Sequence, residues 1–320
     1  EEINALGGLQ FVLKYEDDQH DAEKAVNAYN SLKDWGVQIT LGSVTSTPAI
    51  ATAAKNYEDR IFALTPSASS PSVIEGKDNV FQMCFQDPMM GTASANYISE
   101  HKIGNKIAII YKSDEDYSSG IYETFKARAA KLNLNIVSTS AFTDATATDF
   151  STQLTDAKNA GADLLYLPIY YGPAALILTQ ANQMGYTPTV FGVDGMDGIL
   201  TVENFDTKLA EGVILLTPFS ENNAESQSFV SKYLAKWNEK PNQFAADAYD
   251  CVYAIYQACK NAGVTPSMDA QTINDKMTAQ FTSMTFNGLT GSNATWNKDG
   301  SISKEPLAVV IKNGEYADFE

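Results

Sequence analysis

The chain has 320 residues, 44% of them hydrophobic, with 22 basic side chains against 39 acidic ones and a net charge of −17. That length and apolar content supply a full core for one large or two medium domains, and an acidic balance without a basic stripe argues against a nucleic-acid partner, whose phosphates need clustered Lys and Arg. No apolar run approaches the ~20 residues that span a bilayer, and Cys84, Cys251 and Cys259 form neither a Cys-x-x-Cys pair nor a zinc pattern.

The chain opens with Glu2-Ile3-Asn4-Ala5-Leu6-Gly7-Gly8, which reads as the end of a helix closed by a glycine cap. A strand over 9–15, a helix over 21–35, a strand over 37–41, a helix over 48–57 and a strand over 61–64 follow. Short apolar runs that alternate with helical patterns are the signature of a parallel sheet covered on both faces. The rhythm continues with strands at 81–85, 106–111, 135–139, 164–168, 190–193 and 212–216. Helices are expected at 91–101, 117–132, 149–160 and 173–184. So many parallel strands exceed one comfortable sheet, and two successive α/β lobes are expected, with crossings near 85–88 and 216–219. Three helices come next, over 225–237, 245–262 and 270–280, the last capped by Asp269. Cys251 and Cys259 share the second of these and read as buried free thiols. The segment 288–312 reads as hairpin material turning at Asn297-Lys298-Asp299-Gly300.

The specific enzyme templates are missing: no Walker loop, no Gly-x-Gly-x-x-Gly, no Gly-x-Ser-x-Gly elbow and no His-Glu-x-x-His. His20 and His101 fall in a polar loop and at a helix end, positions that suit solvated roles. Asp114-Glu115-Asp116 lacks the glycine and terminal Glu of a calcium loop. Neither an enzyme nor a metal or cofactor site is expected.

Strand ends carry what chemistry there is. Gly42-Ser43-Val44-Thr45-Ser46-Thr47-Pro48 and Thr65-Pro66-Ser67-Ala68-Ser69-Ser70-Pro71 are polar lips after apolar runs, where open α/β sheets bind ligands. Ser46 and Ser69 offer hydroxyls to a carboxylate, and Ser67 offers its backbone. Asp194, directly after a strand, suits an ammonium. Tyr117, Tyr170, Tyr171 and Phe244 lie near strand ends as possible walls. Each serine alone fits a cap or turn, and each aromatic alone fits a core; together they describe a ligand cleft.

The order of these motifs resembles the type I periplasmic binding proteins, specifically the branched-chain amino-acid (Leu/Ile/Val) receptors of ABC transporters. The likeness runs from Glu2-Ile3-Asn4-Ala5-Leu6-Gly7-Gly8 through Tyr15-Glu16-Asp17-Asp18-Gln19 and the two lips. It continues with Asp149-Phe150-Ser151, Tyr170-Tyr171-Gly172-Pro173, Ala248-Tyr249-Asp250 and Phe286-Asn287-Gly288-Leu289-Thr290-Gly291. It implies two Rossmann-like lobes with parallel sheets joined by a three-segment hinge, residues 1–87 and 219–308 forming lobe 1, and 88–218 with 309–320 forming lobe 2. By the same resemblance Ser46 bonds a ligand α-carboxylate, Ser67 and Ser69 hold the amino-acid head, Asp194 pairs with the α-ammonium, and Tyr117, Tyr170 and Phe244 line the pocket. The implied protein is a monomeric extracytoplasmic receptor, periplasmic or lipid-anchored, that hands an amino acid to an ABC permease; the alternative is an amino-acid- or amide-sensing module that regulates a partner. Family members begin with a strand, a ligand-contacting loop and most of a helix ahead of Glu2-Ile3-Asn4, so the first strand of lobe 1 is expected to be missing from this sequence, leaving open strand edges. Tyr171 beside Tyr170, and Asp247 three residues after Phe244, bear on side-chain selectivity.

Overall fold

The computed structural model describes residues 1–319. Two units emerge from its packing, Glu1–Gln86 with Phe244–Lys304, and Asp87–Gln243 with the chain from Glu305 onward. The chain therefore passes between units three times.

In the first unit a short helix α1 (Glu2–Ala5) precedes α2 (Ala22–Trp35), which starts where the Asp21 carboxylate accepts the Lys24 N–H and stops at Gly36. Then come β1 (Ile39–Leu41), α3 (Ser46–Asp59), β2 (Phe62–Thr65) and β3 (Val80–Gln82). The three strands form a parallel sheet in the order β1-β2-β3, with Leu41 opposite Leu64 and Thr65 opposite Gln82. Side chains of a strand alternate between faces, and here both faces are covered. Phe62, Leu64 and Phe81 pack on one side, whereas Ala63 and Val80 meet Ala49 and Ala53 of α3 on the other.

The second unit opens with α4 (Asp87–His101), β4 (Ile107–Lys112), α5 (Asp116–Lys131), β5 (Ile136–Phe142), α6 (Ser151–Asn159), β6 (Leu164–Leu167), α7 (Tyr171–Gln183), β7 (Thr189–Gly192), β8 (Ile214–Thr217) and α8 (Gln227–Trp237). The chain returns to the first unit within α9 (Gln243–Asn261), then α10 (Ala270–Phe281), β9 (Thr285–Phe286) and β10 (Ala294–Thr295). Ala254 and Ala258 of α9, Met277 and Phe281 of α10, and Trp296 close the apolar face of the first sheet. The Asp250 carboxylate on α9 accepts the N–H groups of Leu289 (2.8 Å) and Thr290 (2.9 Å) and the Thr290 hydroxyl (2.7 Å). A side chain on Gly288 would run into that carboxylate, which accounts for the Asn287-Gly288-Leu289-Thr290 wording.

Finally β11 (Leu307–Lys312) and β12 (Glu315–Asp318) complete a seven-stranded sheet in the second unit, in the order β12-β11-β8-β7-β6-β4-β5. Its strands from β8 to β5 are mutually parallel, whereas β11 runs antiparallel to β8 and β12 antiparallel to β11.

Three expectations differ. Residues 9–15 join no ladder among the described residues: the Asn4 side chain takes both the N–H and the C=O of Phe11, while Val12, Leu13 and Tyr15 stay exposed. The stretch 288–312 is not one hairpin. Trp296 and Ile302 bridge across the Asn297–Gly300 turn, but the residues from Leu307 leave to pair with β8 of the other unit. Residues 219–243, expected in lobe 1, pack with the second unit because its own groups hold them. Ser220 donates to Asp318 (3.0 Å), Asn222 to the Tyr316 carbonyl (3.0 Å), and Lys240 bridges Glu221 and Glu315. No helix among the described residues is long and apolar enough to cross a membrane.

Candidate functional site

In the first unit, β1 and β2 end at the two polar lips. Helix α3 starts at Ser46, earlier than its apolar pattern suggests, which puts Ser46 in the first turn. Thr45 holds the N-cap position without capping; its hydroxyl instead lies 2.6 Å from His20 Nδ1. The first turn contains no acidic residue, and Pro48 has no N–H to offer. A helix start with orphan N–H groups and no carboxylate of its own attracts an anion. The Ser46 hydroxyl oxygen accepts the Ser70 N–H (3.2 Å), so its proton is left to donate. Ser69 is buried, and its hydroxyl has no hydrogen-bond partner among the described residues. Burying a hydroxyl unpaired costs about 1–3 kcal/mol, a cost that an anionic acceptor here removes.

The rest of this lip is braced. The Thr65 hydroxyl donates to the Ser43 carbonyl (2.6 Å), the Ser67 hydroxyl to the Val44 carbonyl (2.7 Å), and Gln82 Nε2 to the carbonyls of Ala68 (2.8 Å) and Ser70 (3.0 Å). The Ser67 side chain thus staples one lip to the other, which leaves its backbone as the part able to meet a ligand.

In the second unit the sheet order fixes where a crevice opens. Strand β4 lies between β5 and β6, so the chain reverses direction across the sheet at the β4/β6 boundary, and a crevice forms outside the carboxyl ends of those strands. Tyr117 stands in the first turn of α5 after β4, and Tyr170 holds the N-cap position of α7 after β6 without a capping bond; their rings stack at 4.5 Å and 16°. Asp194 follows β7 in a 3-10 turn. The Tyr117 hydroxyl donates to Asp194 Oδ1 (2.6 Å) and accepts the Gly195 N–H (2.8 Å). Gln243 Nε2 donates to the Asp194 carbonyl (2.7 Å) and more weakly to Asp194 Oδ2 (3.4 Å).

Asp194 is buried without a cationic partner among the described residues, and burial pushes its carboxyl up to about 6 against the hydrogen bonds of Tyr117 and Gln243. Burial, with the same carboxylate beside it, raises the Tyr117 phenol well above its ordinary range. Asp197 is buried nearby, also pushed up to about 6 chiefly by burial, and accepts the Gln243 backbone N–H (2.8 Å). A buried carboxylate satisfied only by neutral donors is a seat for a cation. Gly195 lies tightly against both tyrosines: a Cβ there would fall 2.6 Å from the Tyr117 oxygen and 2.9 Å from Tyr170 Cδ1.

The structure thus gathers Ser46, Ser67 and Ser69 in one unit and Tyr117, Tyr170 and Asp194 in the other. Phe244, half-buried, stands in the first turn of α9 at a crossing. Tyr171 is partly exposed at the start of α7. Sequence reasoning missed Gln82, Gln243 and Asp197. Gln243 reads simply as a helix start before Phe244; only the pairing of Asp194 with another acid three residues later signals a second buried carboxylate.

Two α/β units threaded three times, each with polar groups at the carboxyl ends of parallel strands, have the architecture of two-lobed solute-binding proteins. The model of the periplasmic binding protein family matches residues 1–315, and the chain belongs to that family. It is 26% identical to Leu/Ile/Val-binding protein homolog 3 of Brucella melitensis, over 83% of this chain and 72% of that protein. It is 25% identical to the Leu/Ile/Val-binding protein of Escherichia coli (strain K12), over 94% of this chain and 80% of that protein. Among solved structures, the branched-chain amino acid transporter substrate binding protein LivJ of Streptococcus pneumoniae, in complex with isoleucine, superposes with a TM-score of 0.88 at 28% identity. That match covers 98% of this chain and 89% of LivJ.

Proposed function

We propose that the chain is an extracytoplasmic receptor that captures an amino acid, branched-chain or related, for delivery to an ABC permease. The observation that carries this reading is Asp194, a buried carboxylate held by a phenol and an amide with no cationic side chain paired to it among the described residues. An α-ammonium supplies the missing charge. The opposite need exists in the first unit, where the uncapped start of α3 and the hydroxyls of Ser46 and Ser69 suit an α-carboxylate. Each need matches one end of an amino-acid zwitterion. Ser67 contributes backbone, and Tyr117, Tyr170 and Phe244 give apolar walls to the side chain. The Leu/Ile/Val-binding relatives and isoleucine-bound LivJ support the amino-acid assignment. The working form is a monomer, periplasmic or lipid-anchored.

A thermal-shift screen of the amino acids tests this reading, because a ligand of the folded state raises the melting temperature by mass action. Leucine, isoleucine or valine should shift the transition, while 4-methylpentanoate and benzoate, which lack the amine, should not. A carboxylate that works equally well without its amine removes the role given to Asp194.

A further inference from the structure

We propose that Gln243 is a further ligand-binding residue, whose side-chain Oε1 accepts one N–H of the ammonium seated on Asp194; this rests on the amino-acid reading above. The Gln243 side chain is fully buried, yet Oε1 has no hydrogen-bond partner among the described residues. Its orientation is not arbitrary. Nε2 is fixed by the Asp194 carbonyl at 2.7 Å and faces Asp194 Oδ2 at 3.4 Å; turning the amide over would set an oxygen against both acceptors. Within one amide group the oxygen lies about 2 Å from the nitrogen, which puts the unpaired acceptor within about 6 Å of Asp194 Oδ2.

Gln243 is anchored through its backbone as well. Its backbone N–H is held by Asp197 Oδ2 at 2.8 Å, and it is the first residue of α9. Structure alone does not call for an amide here, since a side chain needed only to donate to Asp194 would not require a buried, unpaired oxygen. An ammonium has three N–H groups. Asp194 Oδ1 already takes the Tyr117 hydroxyl, so the carboxylate cannot devote both oxygens wholly to the ligand. A second acceptor on the same unit completes the shell and makes the site selective for primary amines.

The test compares the wild-type chain with Gln243→Met, which keeps the length and loses the oxygen. Both are titrated calorimetrically with L-leucine and with N-methyl-L-leucine. A hydrogen bond from a charged group is lost in the variant, so L-leucine should bind about 10- to 100-fold more weakly. N-methylation should cost the wild type a comparable factor and the variant little, because the methyl then occupies the place that the amide oxygen vacated. This coupling between substitution and ligand is a readout that a merely structural glutamine would not move. Equal L-leucine affinity in the two proteins, or the same N-methyl penalty in both, overturns the inference and leaves the receptor reading intact. A wild-type chain that binds no amino acid overturns both.

Discussion

Replacing Asp194 by Asn should make the free protein more stable and the receptor useless. The carboxyl is fully buried and pushed up to about 6 by that burial. A rise of about two units over an ordinary carboxylate corresponds to about 3 kcal/mol against the charged form. The sign follows from where the two pKa values lie. The folded value is above the unfolded one, so the neutral acid's contribution is full below about pH 4 and is lost as pH rises through about 6. At pH 8 the free wild type therefore carries the whole penalty. Asn keeps an oxygen for the Tyr117 hydroxyl and removes the charge, but it sets a second amide beside Gln243 Nε2, which costs about 1 kcal/mol. Urea denaturation at pH 8 should then find Asp194→Asn more stable than wild type by about 1–3 kcal/mol, with the gap closing as pH falls towards 4. Calorimetry should find the affinity for a branched-chain amino acid lower by about 30- to 5,000-fold, since removing one partner of a buried charge pair costs about 2–5 kcal/mol. In the wild type the affinity should decline about tenfold per unit below pH 6, as Asp194 takes up a proton. A variant that is less stable than wild type at pH 8 and binds the amino acid unchanged would refute both the electrostatic reasoning and the site.

Gly195→Ala should weaken binding at least tenfold while leaving the far-UV circular dichroism spectrum unchanged, because the added methyl must displace the Tyr117 hydroxyl and the Tyr170 ring; unaltered affinity would show that the stacked rings do not contact the ligand. Ser46→Ala should cost about 1–2 kcal/mol of ligand affinity through the lost donor and the freed Ser70 N–H, with a smaller loss for a ligand whose carboxylate is amidated. Lys304→Met should destabilise the fold by about 3–5 kcal/mol in urea, because it strands Asp247 in the core. Burial already pushes that carboxyl up to about 7 despite Lys304, so the loss should shrink at pH 5, where Asp247 can be neutral. A pH-independent loss would mean that packing, not charge, sets the cost.

How much of this was legible in the sequence depended on whether the determining partner was near in the chain. Apolar runs such as Phe62–Thr65 and Leu164–Leu167 announced buried parallel strands because nearly every side chain in them is covered, and the Asp269 cap marked a helix start locally. The stretch 9–15 has the apolar composition of a strand, but a strand exists only with a neighbour to pair with, and periodicity cannot supply one. The same limit moved 219–243 to the second unit, since the residues that hold it, Tyr316 and Asp318, lie about a hundred positions away. At the site, Ser46, Ser69, Tyr117, Tyr170 and Asp194 could be singled out because each follows an apolar run. Gln82 and Gln243 could not, because an amide at a strand end or a helix start carries no pattern, and its meaning lies in the distant carbonyls to which it donates.

The two units carry opposite unmet needs, and that opposition argues for function more strongly than any one residue does. A chain selected for stability alone would pair the Ser69 hydroxyl, cap α3 with Asp or Ser, and neutralise Asp194, since each change removes about 1–3 kcal/mol of cost. Instead, among the described residues, the first unit keeps the Ser69 hydroxyl without an acceptor and the second keeps the Asp194 carboxylate without a cationic side chain. Gln82, Thr65 and Ser67 hold the donors rigid in the first, as Tyr117 and Gln243 hold the acceptor in the second. Rigid groups left unsatisfied lose no conformational entropy when a partner arrives, so most of their interaction energy appears as affinity. A ligand without an amine leaves the buried Asp194 carboxylate as costly as before. On the proposed reading, selectivity for the ammonium therefore rests on Asp194, and selectivity for the carboxylate on Ser46 and Ser69.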